Sequence, residues 1–130
     1  MKKEQVYKDY LGEQWYEQLK DILHSEYFEN HKRFLHEERK SKDFLPKDMR
    51  LTFRAFRETP YDDIKVVVIG QDIYHDGSFD GFAFSNGTKP KNKMSPSLRN
   101  IIKEVQRTYP NSNTNNDLTH WARQGVFLIN

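Results

Sequence analysis

The sequence predicts an α/β fold with a parallel sheet, and three observations predict it. Val66-Val67-Val68-Ile69 is a continuous, mostly β-branched apolar run with no alternation, the pattern of a strand buried on both faces of a parallel sheet. Val126-Phe127-Leu128-Ile129 is a second run of the same kind. Between them Ser95-Pro96 starts a helix, Ser as N-cap and Pro at the first helical position, and Leu98, Ile101, Ile102 and Val105 supply its apolar stripe. Two parallel strands joined by a helical crossover follow, and the crossover is expected to be right-handed.

The remaining elements fall around this unit. Residues 13–24 form an amphipathic helix, with Trp15, Leu19, Ile22 and Leu23 on one face. A second helix covers about 25–40, with Tyr27, Phe28, Phe34 and Leu35 inward and its charges in solvent. His24, His31 and His36 are not spaced as a helical ligand pair, so no metal site is expected. Lys40 to Asp43 is a polar connector, and Leu51, Phe53 and Phe56 pack from a short helix. Thr59 to Asp63 turns the chain into the first strand.

After that strand, Asp76 to Gly81 reads as a flexible Gly-rich loop. The alternation of Phe82 and Phe84 with Ala83 and Ser85 predicts a short extended segment. Asn86 to Lys93 is a loop carrying Lys89, Lys91 and Lys93; Leu118, Trp121 and Ala122 make a short helix that Gly125 ends. The expectation is one domain over 1–130, with a helical N-terminal region (1–43) and an α/β region (44–130). Two strands are a thin sheet, since stable sheets usually need three or more. The sequence stops at the end of the second strand, which predicts a truncated fold or one completed by another chain.

Only 35% of the 130 residues are hydrophobic, and no apolar stretch approaches a membrane span. The N-terminus has no apolar signal region, and the absence of cysteine excludes disulfides and thiol zinc sites and suits a cytoplasmic protein. A net charge of +2 is too small to argue nucleic-acid binding by itself.

The densest chemistry follows the first strand. Gly70 breaks it, and Gln71, Asp72, Tyr74 and His75 come at once. Open α/β sheets bind ligands at the carboxyl ends of their strands. Asn130 stands at the same end of the second strand, and Ser95 and Ser97 stand at a helix N-terminus, a ready anion site. No Gly-rich phosphate loop follows the first strand, which argues against a generic nucleotide-binding protein.

Gly70-Gln71-Asp72-Ile73-Tyr74-His75 resembles the GQDPYH motif of family 1 uracil-DNA glycosylases. Phe44 to Pro60 resembles the family's approach to that strand, and Gly81-Phe82-Ala83-Phe84-Ser85 its GLAFS segment. Ser95-Pro96-Ser97-Leu98 sits where the family has a Pro-rich loop ending in Ser, and Trp121 to Asn130 is close to its WA[RK]QGVLLLN segment. The likeness covers residues 44–130, two-thirds of the chain.

The resemblance implies base-excision repair: hydrolysis of the N-glycosidic bond of a flipped-out uracil in DNA, without metal or cofactor. It makes Asp72 the carboxylate that directs water at the sugar C1′, and His75 a helper that holds the water or a phosphate. Tyr74 would exclude the thymine methyl, Phe84 would stack on uracil, Asn130 would read its edge, and Gln71 would line the pocket through its backbone. Ser97 and Ser85 become DNA phosphate contacts. Candidate partners are uracil-containing DNA, a second polypeptide completing the fold, and a proteinaceous glycosylase inhibitor.

The sequence departs from the family pattern at identifiable places. Ile73 and Ser95 replace prolines, and the loop from His75 to Phe84 is about one residue short. The later HPSPLS motif, whose His stabilises charge on the leaving uracil, has no counterpart; His120 is the only His after His75. Losing one donor to a developing oxyanion costs about 10²–10³ in rate, so weak or absent activity of this chain alone is expected. The competing expectation is a non-catalytic DNA- or protein-binding fragment that needs a partner.

Overall fold

The computed structural model describes residues 2–130. Among these residues seven α-helices and two strands follow in order: α1 (Lys3–Leu11), α2 (Glu13–Leu23), α3 (Glu26–Glu38), α4 (Met49–Thr52), α5 (Arg54–Glu58), β1 (Val66–Ile69), α6 (Pro96–Thr108), α7 (Thr119–Ala122) and β2 (Val126–Ile129). The strands pair in parallel, Val66 with Val126 through to Ile69 with Ile129. The ladder runs one step further, where the Gly70 N–H donates to the Ile129 carbonyl at 2.7 Å. The fold is the expected α/β arrangement, with α6 and α7 in the crossover.

Gly125 makes the entry to β2 possible. Its φ of +100° favours glycine, and a Cβ there would strike the Asp63 carbonyl. Its own carbonyl accepts from the N–H groups of Lys65 and Val66 and starts the ladder.

Two hydrophobic clusters lie on either side of a shared aromatic seam. The main one joins Phe82, Ala83, Leu98, Ile102, Leu118, Phe127 and Leu128. The other joins Tyr7, Leu11, Tyr16 and Leu23 from the N-terminal helices. Trp15 and Phe56 touch both. Trp15 stacks on Phe127 at 4.8 Å between ring centroids and donates its indole N–H to the Thr59 carbonyl at 2.9 Å. Thr59 is buried in turn and donates to the Ala122 carbonyl.

Several expectations are corrected. β1 is not buried on both faces: Val66 and Val67 are each 52% exposed and Ile69 72%. β2 covers one edge of β1, and only Val68 turns toward the main hydrophobic cluster. Phe127 and Leu128 of β2 are 4% and 1% exposed, because Trp15 and Phe56 pack on Phe127 and the Ala83 N–H bonds the Leu128 carbonyl on the far edge. The molecule exposes 8889 Å², against roughly 7,250 Å² expected for a compact monomer of this size.

Ile22, Tyr27 and Phe34 point outward, and Tyr16 takes the inward place on α2. α1 has no counterpart among the expected elements; its buried Tyr7 and Leu11 are too few to mark a stripe. Residues 82–85 are turns rather than an extended segment, and the Gly-rich loop before them is anchored, with Ser78, Phe79 and Asp80 buried. No described helix is long and apolar enough to cross a membrane.

Candidate active site

The in-register strands end side by side, and that places two chemistries together. Gly70 to Tyr74 leave the tip of β1 while Asn130 leaves the tip of β2. Gly70 is buried under the Asn130 side chain; a Cβ at residue 70 would collide with Asn130 Oδ1 and press on Ala83 Cβ at 3.3 Å. The glycine therefore does more than end the strand: it vacates the seat of the carboxamide.

A cavity of about 470 Å³ opens at these tips. Its wall includes Gln71, Asp72, Tyr74, Phe84, Ser97 and Asn130, six of the eight residues singled out from the sequence. Ile73, Phe79 and Phe82 complete it. His75 is exposed and outside the wall.

Ser85 is a correction. It is fully buried, donates its hydroxyl to Asp80 Oδ2 at 2.6 Å and accepts the Leu118 N–H at 3.0 Å, so it has nothing to offer a phosphate. Lys89 is spent on an ion pair with Asp76, and Lys91 donates to Thr114 Oγ1 at 2.5 Å.

Three carboxylates in this region show why Asp72 stands apart. Asp76 accepts from Lys89 and from the hydroxyl and N–H of Ser78, which hold it well below the usual carboxylate range. Asp80 is 4% exposed; burial pushes its pKa up, while the Ser85 hydroxyl and the Gly87 and Phe82 N–H groups pull against that rise. Both are committed to the loop. Asp72 is exposed, faces the cavity, and bonds to none of the described residues.

The loop so anchored carries Phe84. Its φ of +66° is unusual for an aromatic residue and costs about 1–3 kcal/mol. The Tyr74 hydroxyl donates to the Phe84 carbonyl at 2.9 Å and so helps to hold that conformation. Asp80 ties the loop through Ser85 and Gly87, Arg54 donates to the Asp80 carbonyl at 2.7 Å, and its guanidinium lies 4.6 Å over the Phe82 ring. Asn86 and Asn116 lock the loop to the start of α6: the Asn86 N–H donates to the Asn116 carbonyl and Asn86 Oδ1 accepts from the Ser95 N–H, both at 2.7 Å.

These supporting residues were missed in the sequence. Most partners of Asp80, Asn86 and Ser95 lie in other turns, and no local spacing marks those. The readable signals were local ones: the Asx turn of Asp76 on Ser78, the bond from the Phe82 N–H to Asp80, and Ser95 as the N-cap of α6.

An acid free of bonds to the described residues, four aromatic rings, two carboxamides and a helix-borne serine thus surround one cavity at the strand tips of an α/β protein. Proteins of known kind place it further. The chain is 43% identical over 121 residues to the uracil-DNA glycosylase of Borrelia turicatae, a match covering 91% of this chain and 53% of that one. It is 50% identical over 78 residues to the uracil-DNA glycosylase of Saccharomyces cerevisiae, covering 57% of this chain and 21% of that one. The crystal structure of mimivirus uracil-DNA glycosylase superposes with a TM-score of 0.74 at 25% identity, over 90% of this chain and 45% of the viral one. No family model matches the chain. Across nine-tenths of its own length the chain is similar to uracil-DNA glycosylases in both sequence and fold. It spans about half the length of the curated relatives it matches.

Proposed function

We propose that the cavity receives a uracil flipped out of DNA and that Asp72 directs water at C1′ of its sugar, as in family 1 glycosylases. Extruding the base costs roughly a few kcal/mol, which stacking on Phe84 and an edge contact with Asn130 offset. The carboxamide suits uracil because it donates to O4 and accepts from N3–H at once. Tyr74 closes the side on which thymine carries its methyl. Ser97, exposed in the first turn of α6, is placed to receive a backbone phosphate. Asp72 also steadies the positive charge that grows on the sugar as the bond breaks.

The observation that carries this reading is the convergence of Asp72, Tyr74, Phe84 and Asn130 on one cavity. Among the described residues its wall holds no cationic side chain to take charge on the leaving base, so excision by this chain runs about 10²–10³ below that of a full-length relative. Release of free uracil from a uracil-containing oligonucleotide tests it. Slow release that disappears in Asp72→Asn supports the reading; a folded chain that neither binds nor releases uracil overturns it.

A second reading, a base-binding module that works with a second polypeptide laid on β1, is favoured by the exposure of Val66, Val67 and Ile69. Restoration of fast excision by an added chain would select it. The cavity mouth is also the surface that a proteinaceous inhibitor would cover. Cysteine-free composition suits the cytoplasm.

A further inference from the structure

Tyr74 Oη lies 2.9 Å from the Phe84 carbonyl oxygen and 2.6 Å from Ser95 Oγ. A carbonyl only accepts, so the phenol proton goes to Phe84. The Ser95 hydroxyl must then donate to Tyr74 Oη, leaving a lone pair on Ser95 Oγ for the Leu98 N–H at 3.3 Å. The Ser95 N–H is itself held by Asn86 Oδ1 at 2.7 Å. The network thus has one polarity, running from α6 through the phenol to the left-handed turn at Phe84. In the motif this segment resembles, the place of Ser95 belongs to proline, which has no hydroxyl.

We propose that Ser95 is a positioning residue for base selection: its hydroxyl pins the Tyr74 ring, so that the ring stays where it excludes a pyrimidine bearing a methyl at C5. The proposal rests on reading the cavity as a uracil site. A tyrosine held by one hydrogen bond still swings about it, whereas a phenol fixed from α6 on one side and from Phe84 on the other does not. Half-burial of the Tyr74 phenol, which raises its pKa against the lowering effect of Ser95, fits a ring held in place.

The test uses the full chain with Ser95→Ala, Ser95→Thr, Ser95→Gly, Tyr74→Phe and the Ser95→Ala/Tyr74→Phe pair. Ser95→Gly removes the hydroxyl and adds no acceptor while remaining a tolerated N-cap residue, so it replaces Ser95→Ala if that variant fails to fold. One readout is binding of 1-methyluracil against 1-methylthymine, followed by NMR titration. The other is the alkaline titration of the Tyr74 ring carbon that bears the hydroxyl.

Ser95→Ala should cut the preference for uracil roughly tenfold, the low end of what one methyl group decides in a pocket, and move the Tyr74 titration upward. Ser95→Thr should preserve both, and the double variant should select no worse than Tyr74→Phe. Unchanged preference and unchanged Tyr74 titration in Ser95→Ala, with only a lower melting temperature, would reduce Ser95 to a helix cap and overturn the proposal. A wild-type chain that binds neither base defeats the cavity reading and the selection claim with it. The Tyr74 titration then still judges the positioning, which falls if Ser95→Ala leaves it unmoved.

Discussion

β1 and β2 have the same length, the same apolar character and the same direction, and they differ in almost everything that packing decides. Phe127 and Leu128 of β2 are enclosed by the aromatic seam, by Ala83 on the far edge and by β1 itself. β1 has β2 on one edge and leaves Val66, Val67 and Ile69 open. An apolar run thus specifies a strand, while its burial depends on what other segments lay over it. Both strands nonetheless deliver their tips to the same cavity, so the site depends on the pairing more than on equal burial.

The largest expected effect comes from cutting into β2. Phe127→Ala should lose about 3–5 kcal/mol in denaturant melts, because it removes the ring on which Trp15 and Phe56 pack. A change at the most exposed position of β1, Ile69→Thr, should stay within ~0.5 kcal/mol. Equal losses would break the comparison and mean that β1 is covered in solution.

Next comes the tip. Gly70→Ala pushes on the Asn130 carboxamide and on Ala83 Cβ, so stability should fall by about 1–3 kcal/mol. Uracil binding should fall roughly tenfold, about 1.4 kcal/mol. A stability loss without a binding loss would show that Asn130 does not read the base.

A smaller effect is expected from acid. The Asp76 carboxyl titrates below its ordinary value through its bonds to Lys89 and Ser78. Its contribution is present above the unfolded carboxylate value near 3.8 and is lost as pH falls through the lower folded value. Asp80 has the opposite sign: its pKa is raised, so the stability linked to its proton is present below the same ordinary value and lost as pH rises through the folded one. Amide exchange should therefore quicken around Ser78 in acid, while Phe82 and Gly87, bonded to Asp80, should not follow. Exchange that quickens together at both places would mean the loop opens as one unit.

What the sequence made legible is local. Ser95-Pro96 announced a helix start, and Ser95 does cap Leu98. The Gly70 break and the terminal Asn130 marked two strand tips, and the matching register brings them level. What stayed hidden depends on distant segments: the Asp80 carboxylate that holds the buried Ser85, the turn that sets Phe84 at positive φ, and the exposure of Tyr27 and Phe34. Alternation of Phe82 and Phe84 looked like a strand because apolar residues at turns and in strands share that spacing over so short a stretch.

The parallel register has a consequence for how this site can fail. Strand pairing advances in whole residues of about 3.3 Å, and a slip of one residue sends alternate side chains to the opposite face. The distance between what leaves β1 and what leaves β2 is therefore graduated like a ratchet rather than a spring. Gly70, bonded to the Ile129 carbonyl, is the last tooth. A population of such molecules would divide into fully aligned copies and wholly misaligned ones, and a dose of denaturant would change the count of aligned copies without blurring the geometry of any one of them.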